Sequence, residues 1–214
     1  MKKPADSAET LIPSHPTLRS LREAAADCKS CPLWENATQT VFGEGPLDAT
    51  IMLIGEQPGN DEDLEGRPFV GPAGRLLDEA LEEAGIDRGQ VYVTNVVKHF
   101  KWQRQGKRRI HEKPKEREMQ ACKPWLEAEI AVLKPQLIVA LGATAAQSLF
   151  GKQFRVTRQR GELMQSSLAP FVMATIHPSA ILRAPDDQTR RSERQRFVEE
   201  LKKAARLVAR KNSK

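Results

Sequence analysis

Three cysteines and three histidines carry most of the chemistry this sequence could perform. Cys28 and Cys31 form Cys-Lys-Ser-Cys, and Cys122 stands far along the chain. An odd count fits a disulfide framework poorly, whereas a CxxC pair holds two sulfurs close enough for one metal centre. Cys122 would add a third ligand. His99, at the end of an apolar run, would add a fourth, since imidazole replaces thiolate at zinc or iron. Spacing alone leaves an iron site, a zinc site, or a CxxC beside an inert buried cysteine. His111 lies in Lys107-Arg108-Arg109-Ile110-His111. Neighbouring cations favour the neutral ring, whose free nitrogen is a competent nucleophile; the alternative is a ring that only touches phosphate.

Four further side chains have two readings each. Glu56, in Gly55-Glu56-Gln57-Pro58-Gly59, can position water or stabilise a cation, or else cap the following helix. His177 precedes a proline at a strand end, as a site residue or as a histidine satisfied by backbone. The Asn95 amide offers a donor and an acceptor to a base edge, or ties a turn. Phe69, in Gly66-Arg67-Pro68-Phe69-Val70-Gly71, is a stacking platform or ordinary core.

The elements that must position these residues follow from apolar patterning. Thr50 to Ile54 is a buried strand stopping at Gly55, Val91 to Val97 a second, Leu137 to Leu141 a third and Phe171 to Ile176 a fourth. Helices are predicted from Thr17 to Asp27, Gly74 to Ala84, about Lys115 to Leu133, Ala143 to Phe150, and from about Ser192 into the basic tail. Alternating strand and helix is the grammar of a three-layer α/β/α fold with a central, mainly parallel sheet. Ligands bind such sheets beyond the carboxyl ends of the strands, where Gly55 to Gly59, Asn95 to His99 and His177 to Ser179 all fall. Residues 1–16 read as a loose leader and 17–214 as one domain.

The chain has 214 residues, 39% hydrophobic and 29% charged, with net charge +6. No apolar run approaches the ~20 residues of a membrane span, no secretory signal is visible, and a cytoplasmic location is expected. Nothing signals oligomerisation, so a monomer is the default. The basic excess is concentrated: nine Lys or Arg lie between Lys98 and Arg117 against two acids, with Phe100 and Trp102 among them. Cations neutralise phosphates and aromatic faces stack on bases, so nucleic acid is one reading and a solvated charged loop the other.

Taken in order, Gly55 to Gly59, Gly66 to Gly74, Thr94-Asn95-Val96-Val97-Lys98 and His177-Pro178-Ser179 resemble the uracil-DNA glycosylase superfamily, across roughly residues 20 to 205. The three cysteines bring the resemblance near its iron–sulfur branch, often called family 4. That family usually shows alanine where Gln57 stands and a fourth cysteine where His99 stands. Those departures and the basic loop ending at His111 look like the bacterial UdgX group, whose members become covalently joined to the DNA from which they excise uracil. The resemblance implies uracil-containing DNA as substrate, with single strands favoured, and a structural [4Fe–4S] cluster on Cys28, Cys31, Cys122 and His99. It implies that Phe69 stacks on uracil, that Asn95 reads its Watson–Crick edge, and that Gln57, Gly55 and Ser179 line the pocket. His177 would donate to the departing uracil anion, Glu56 would stabilise or orient the reacting centre, and Lys107, Arg108 and Arg109 would hold DNA. His111 would attack C1′ and leave a histidine–deoxyribose bond, so that each molecule acts once.

Overall fold

The computed structural model describes residues 7–212. Along the chain run α1 (Leu18–Ala25), β1 (Ile51–Gly55), α2 (Asn60–Glu65), α3 (Pro72–Glu83), β2 (Val91–Asn95), the hairpin strands β3 (Trp102–Gln105) and β4 (Arg108–His111), and α4 (Glu116–Leu133). They continue with β5 (Leu137–Leu141), α5 (Ala143–Phe150), α6 (Val156–Gln159), β6 (Phe171–Thr175), α7 (Pro178–Leu182) and α8 (Asp187–Asn212).

The apolar runs form one parallel sheet in the order β2-β1-β5-β6. Side chains of a strand alternate between faces, and both faces are covered. Met52, Ile54, Tyr92, Ile138 and Val172 pack in one apolar cluster with α1 and α4. Ile51, Leu53, Val91, Val139 and Met173 pack in the other with α3, α7 and α8. This is the expected three-layer α/β/α architecture. Strands wrapped on both sides need apolar residues at every position, which is why they read as unbroken runs.

The sheet is tied to α4 by charge as well as by packing. The Lys98 ammonium pairs with Glu129 Oε2 at 2.6 Å, both side chains being shut off from solvent. Glu129 Oε1 accepts from the Tyr92 hydroxyl at 2.8 Å, and the Thr94 hydroxyl lies 3.0 Å away. Burial and the adjacent carboxylate push the Tyr92 phenol upward, so it remains a donor.

Several expectations need correction. The basic stretch after His99 is a β-hairpin and not a loop: Trp102 faces His111 and Gln105 faces Arg108 across a two-residue turn. Gly106 opens that turn at φ +61°, a conformation glycine adopts without steric cost. The hairpin was invisible to hydrophobic patterning because its strands are short, charged and largely solvated. The last helix begins at Asp187, where Asp186 accepts from the Thr189 N–H at 2.7 Å and the Thr189 hydroxyl at 3.0 Å. Its first turn carries no apolar residue to betray it. Of the stretch read as a leader, residues 1–6 lie outside the described residues. Within residues 7–16, Ala8 is fully buried and its N–H donates to Ala121 O at 2.9 Å, while residues 9–11, 14 and 15 are exposed.

Removing one partner of a buried pair strands the other charge. Glu129→Leu should therefore lower the unfolding free energy by about 3 to 5 kcal/mol, measured from urea denaturation midpoints. A loss below about 1 kcal/mol would show that the Lys98 charge finds water.

Candidate functional site

The carboxyl ends of all four strands open into one cavity of about 720 Å³. β1 delivers Glu56 and Gln57, β2 delivers Asn95, the turn after β5 delivers Thr144, and β6 delivers His177. Phe69, from the loop between α2 and α3, and His111, at the end of β4, complete the enclosure. Separate strand-end motifs thus become neighbours because parallel strands all finish on the same edge.

Two amides stand here in opposite states. Gln57 is spent on the protein: its Nε2 donates to the carbonyls of Lys101 and Glu112, each at 3.1 Å, and its Oε1 accepts from the Lys101 N–H at 3.1 Å. Those residues flank the hairpin, so Gln57 clamps its base and lines the pocket as a consequence. Asn95 is only 3% exposed, and its amide has no hydrogen-bond partner among the described residues while lining the cavity. The residue is buried but its amide atoms are not sealed off, so they face the cavity with donor and acceptor unspent. Gly55 makes room for this arrangement: a Cβ there would lie 2.4 Å from Asn95 Oδ1 and 2.8 Å from Phe69 Cζ. Phe69 holds φ +58°, rare for a bulky residue and found where surrounding structure dictates it. Glu62 does much of the dictating, for its carboxylate accepts from the Gly59 N–H at 3.0 Å and the Gly71 N–H at 2.8 Å.

The ionisable groups are tuned apart. Burial raises the Glu56 carboxyl, but hydrogen bonds from His111 and Thr144 and the nearby imidazoles outweigh it and keep Glu56 below the usual carboxylate range, hence ionised. His111 Nε2 lies 3.3 Å from Glu56 Oε1. The ion touching His111 is therefore a carboxylate, where the sequence suggested cations. Burial pushes His177 down to about 4, against the pull of Glu56 and with help from Arg183 and His111. Its Nδ1 accepts from the Ser179 N–H at 3.1 Å, with the Ser179 hydroxyl 2.8 Å away. A neutral imidazole that accepts at Nδ1 carries its proton on Nε2. Ser179 thus sets the tautomer that makes His177 a donor. The Phe69 and His177 rings stack at 6.0 Å between centroids, 27° from parallel.

The cations divide differently from expectation. Lys107 and Arg108 are exposed at the hairpin tip. Arg109 turns inward instead, pairing with the buried Asp63 at 2.7 Å and lying over the Phe100 and Trp102 rings. Lys98 and Lys101 are also internal, Lys101 paired with Glu118 at 3.0 Å. Phe100 is buried and the Trp102 indole donates to Asn36 O at 2.9 Å, so neither is a free stacking face. These cations were indistinguishable in sequence because their acidic partners sit far away in the chain. Thr144 and Arg183, which also line the cavity, escaped notice. Thr144 follows the glycine after β5, and that strand-end glycine was the available signal.

The remaining candidates occupy a separate buried region. Cys28, Cys31 and Cys122 are free and buried; Cys122 feels both other sulfurs electrostatically, and Cys31 feels Cys28. Burial pushes Cys31 up to about 11 and Cys122 up to about 12 as thiols. Yet two N–H groups already point at sulfur: the Trp125 indole donates to Cys28 Sγ and the Lys98 amide to Cys122 Sγ, each at 3.3 Å. Such donors suit metal-bound thiolates better than thiols. His99 Nε2 lies 3.0 Å from the Thr40 hydroxyl, which itself donates to Ala25 O at 2.8 Å. Thr40 therefore accepts from Nε2–H and leaves Nδ1 free as a ligand. Among the described residues no three of His, Cys, Asp and Glu converge as ligands of a single ion do. The donor types and the N–H groups fit an iron–sulfur cube, which spaces its ligands more widely than one ion.

Fold and site together define an α/β/α protein with a strand-end pocket lined by Glu56, Phe69, Asn95, His111 and His177. A family profile described as the uracil DNA glycosylase superfamily matches residues 42–202, and the chain belongs to that superfamily. A type-4 uracil-DNA glycosylase of Thermotoga maritima is 41% identical over 187 residues, covering 87% of this chain and 92% of its own. A type-4 uracil-DNA glycosylase of Pyrobaculum aerophilum is 39% identical over 175 residues, covering 78% and 86%. A type-5 uracil-DNA glycosylase of Thermus thermophilus is 29% identical over 197 residues, covering 83% of each.

Three hydrogen bonds from one side chain hold the hairpin base. Gln57→Ala should raise amide hydrogen exchange across residues 102–111 by about tenfold or more, the worth of one or two such bonds. Exchange in the central sheet should stay unchanged. Equal hairpin exchange would move the clamp elsewhere, Arg109–Asp63 being the next candidate.

Proposed function

We propose that this protein removes uracil from DNA and then bonds itself through His111 to the sugar left behind. The observation that carries the reading is the Asn95 amide, which opens onto the cavity from the pocket wall and has no protein partner among the described residues. Uracil presents an acceptor and an N–H on one edge, which an amide matches. The type-4 relatives are named for excision of this base. A glycosylase acts on a base outside the stack, so uracil enters flipped from a duplex or directly from single strands, and the exposed Lys107 and Arg108 are free to meet phosphates of either.

Phe69 stacks on the base while Asn95 holds its edge. As the C1′–N1 bond breaks, its electron pair leaves with uracil, and His177 donates through Nε2–H to the oxygen where that charge gathers. The ionised Glu56 stabilises positive charge growing on the sugar. His111, 3.3 Å from that carboxylate, is held where an attack on C1′ has a large effective concentration. A lone pair of its imidazole forms the new N–C1′ bond. The resulting imidazolium, paired with Glu56, sheds its remaining ring proton to solvent, and the uracil anion takes one from solvent. The adduct ends the cycle, so each molecule acts once. A [4Fe–4S] cluster held by Cys28, Cys31, Cys122 and His99 supplies a structural cross-link, since breaking a glycosidic bond requires no electron transfer.

Incubation with a uracil-containing single-stranded oligonucleotide, followed by denaturing electrophoresis, should give a slow band absent with thymine. His111→Ser should abolish that band and leave an alkali-labile site. Free DNA with an alkali-labile site from the unaltered protein would discard the cross-link and keep the excision. Unaltered DNA would discard both.

The pH profile tests the neutral donor. Because His177 is lowered to about 4, it stays uncharged until well below the ordinary histidine value of about 6.5. Glu56 is also lowered in the unaltered protein, by donors from His111 and Thr144; His111→Ser removes the first and leaves Thr144 and His177. Excision by that variant should be level from neutral pH through 6.5 and fall only in the carboxylate range below it. A midpoint near 6.5 would assign His177 a charged role instead.

A further inference from the structure

Lys98 belongs to both buried regions at once. Its backbone N–H donates to Cys122 Sγ at 3.3 Å. Its ammonium, in a residue 1% exposed, donates to Thr94 Oγ1 at 2.6 Å, to the Asn95 main-chain oxygen at 2.7 Å and to Glu129 Oε2 at 2.6 Å. An ammonium has three N–H donors, and all three are used. Glu129 is filled in turn by Lys98, Tyr92 and Thr94 and by the Gly43 N–H at 3.2 Å. Neither charge has capacity left for a ligand, so the pair is a fixture and not a second binding site.

What it fixes is the end of β2. Asn95 is the last residue of that strand, and Val96 and Val97 already turn to donate to the carbonyls of Gly55 and Glu56. β2 is the edge of its sheet, and on its outer side the Glu44 backbone bridges it at Val93 and not at Asn95, so the terminal carbonyl has no ladder partner there. The ammonium completes it. Holding that carbonyl holds the peptide plane, which sets the direction in which the Asn95 side chain leaves the backbone. The side chain itself has no hydrogen bond to hold it and rests over Gly55. Its aim therefore comes from the main chain.

We infer that Lys98 is a positioning residue for base recognition: it anchors the Asn95 main chain and so points the unpartnered amide into the pocket, from a residue that also borders the cysteine region. The inference rests on the uracil reading of the pocket. It assigns Lys98 a task other than the phosphate contact its place in a basic segment suggests.

The test is equilibrium binding of free uracil to the full-length protein by ligand-detected NMR, which involves no bond breaking and no adduct. Lys98→Met alone would leave Glu129 charged and buried, so the variant is Lys98→Met with Glu129→Gln, which keeps hydrogen-bonding groups for Tyr92 and Thr94. Uracil binding should weaken by about tenfold, the worth of a misaligned hydrogen-bonded pair. Binding of undamaged single-stranded DNA and the visible absorption of the metal centre per chain should stay level, which a general loosening of the fold would not allow. Uracil affinity equal to wild type in the folded double variant overturns the inference. Should the double variant not fold, Thr94→Val removes one support of the ammonium while keeping the ion pair. Weaker uracil binding there supports the inference, and equal binding overturns it. Wild-type protein that ignores free uracil would sink the pocket reading itself, a result distinct from either.

Discussion

An ion pair sealed from water sits beneath the pocket, and much of the structure is arranged so that it can exist. Lys98 and Glu129 are drawn from the segment just after β2 and the C-terminal part of α4, and neither charge is tolerable there without a full set of partners. Tyr92, Thr94, the Asn95 carbonyl and the Gly43 N–H supply that set. A saturated network of this kind has one geometry, so it fixes the spacing of strand and helix more sharply than apolar contact does. The cysteine region lies on the same helix through Cys122, and the cavity-facing Asn95 ends the strand that leads into Lys98. One constraint thereby registers both.

A second constraint governs the hairpin. A two-stranded ribbon is marginal in water by itself, and this one carries the nucleophile of the proposed reaction. It is held at its base by Gln57, along its length by Arg109 on Asp63, and through Lys101 by Glu118. Three polar side chains that look suited to DNA or base contact are therefore spent on placing His111 beside Glu56. The tip, with Lys107 and Arg108, is left to solvent.

The pocket separates its charges by environment. Glu56 is kept ionised because donors from His111 and Thr144 outweigh its burial, while His177 is kept neutral because burial outweighs the attraction of Glu56. In the proposed reaction the carboxylate would meet the positive charge growing on the sugar and the neutral donor the negative charge gathering on the base.

The sequence alone determined the sheet and most of its helices. Runs such as Leu137 to Leu141 are apolar at every position, and only a strand covered on both faces needs that. It also placed Glu56, Asn95 and His177 at one edge, since parallel strands finish together. The hairpin was hidden, because charged, solvated strands carry no alternation of apolar residues, and so was the start of α8 at Asp187. Only the tertiary structure decided what each polar residue does. Gln57 and Asn95 are alike as amides, yet one is saturated by the hairpin backbone and the other faces the cavity empty. Lys98, Lys107 and Arg109 are alike as cations, yet Glu129 and Asp63 claim two of them from 31 and 46 residues away. Hydrogen-bond partners chosen across such separations are properties of the folded chain, and no local pattern records them.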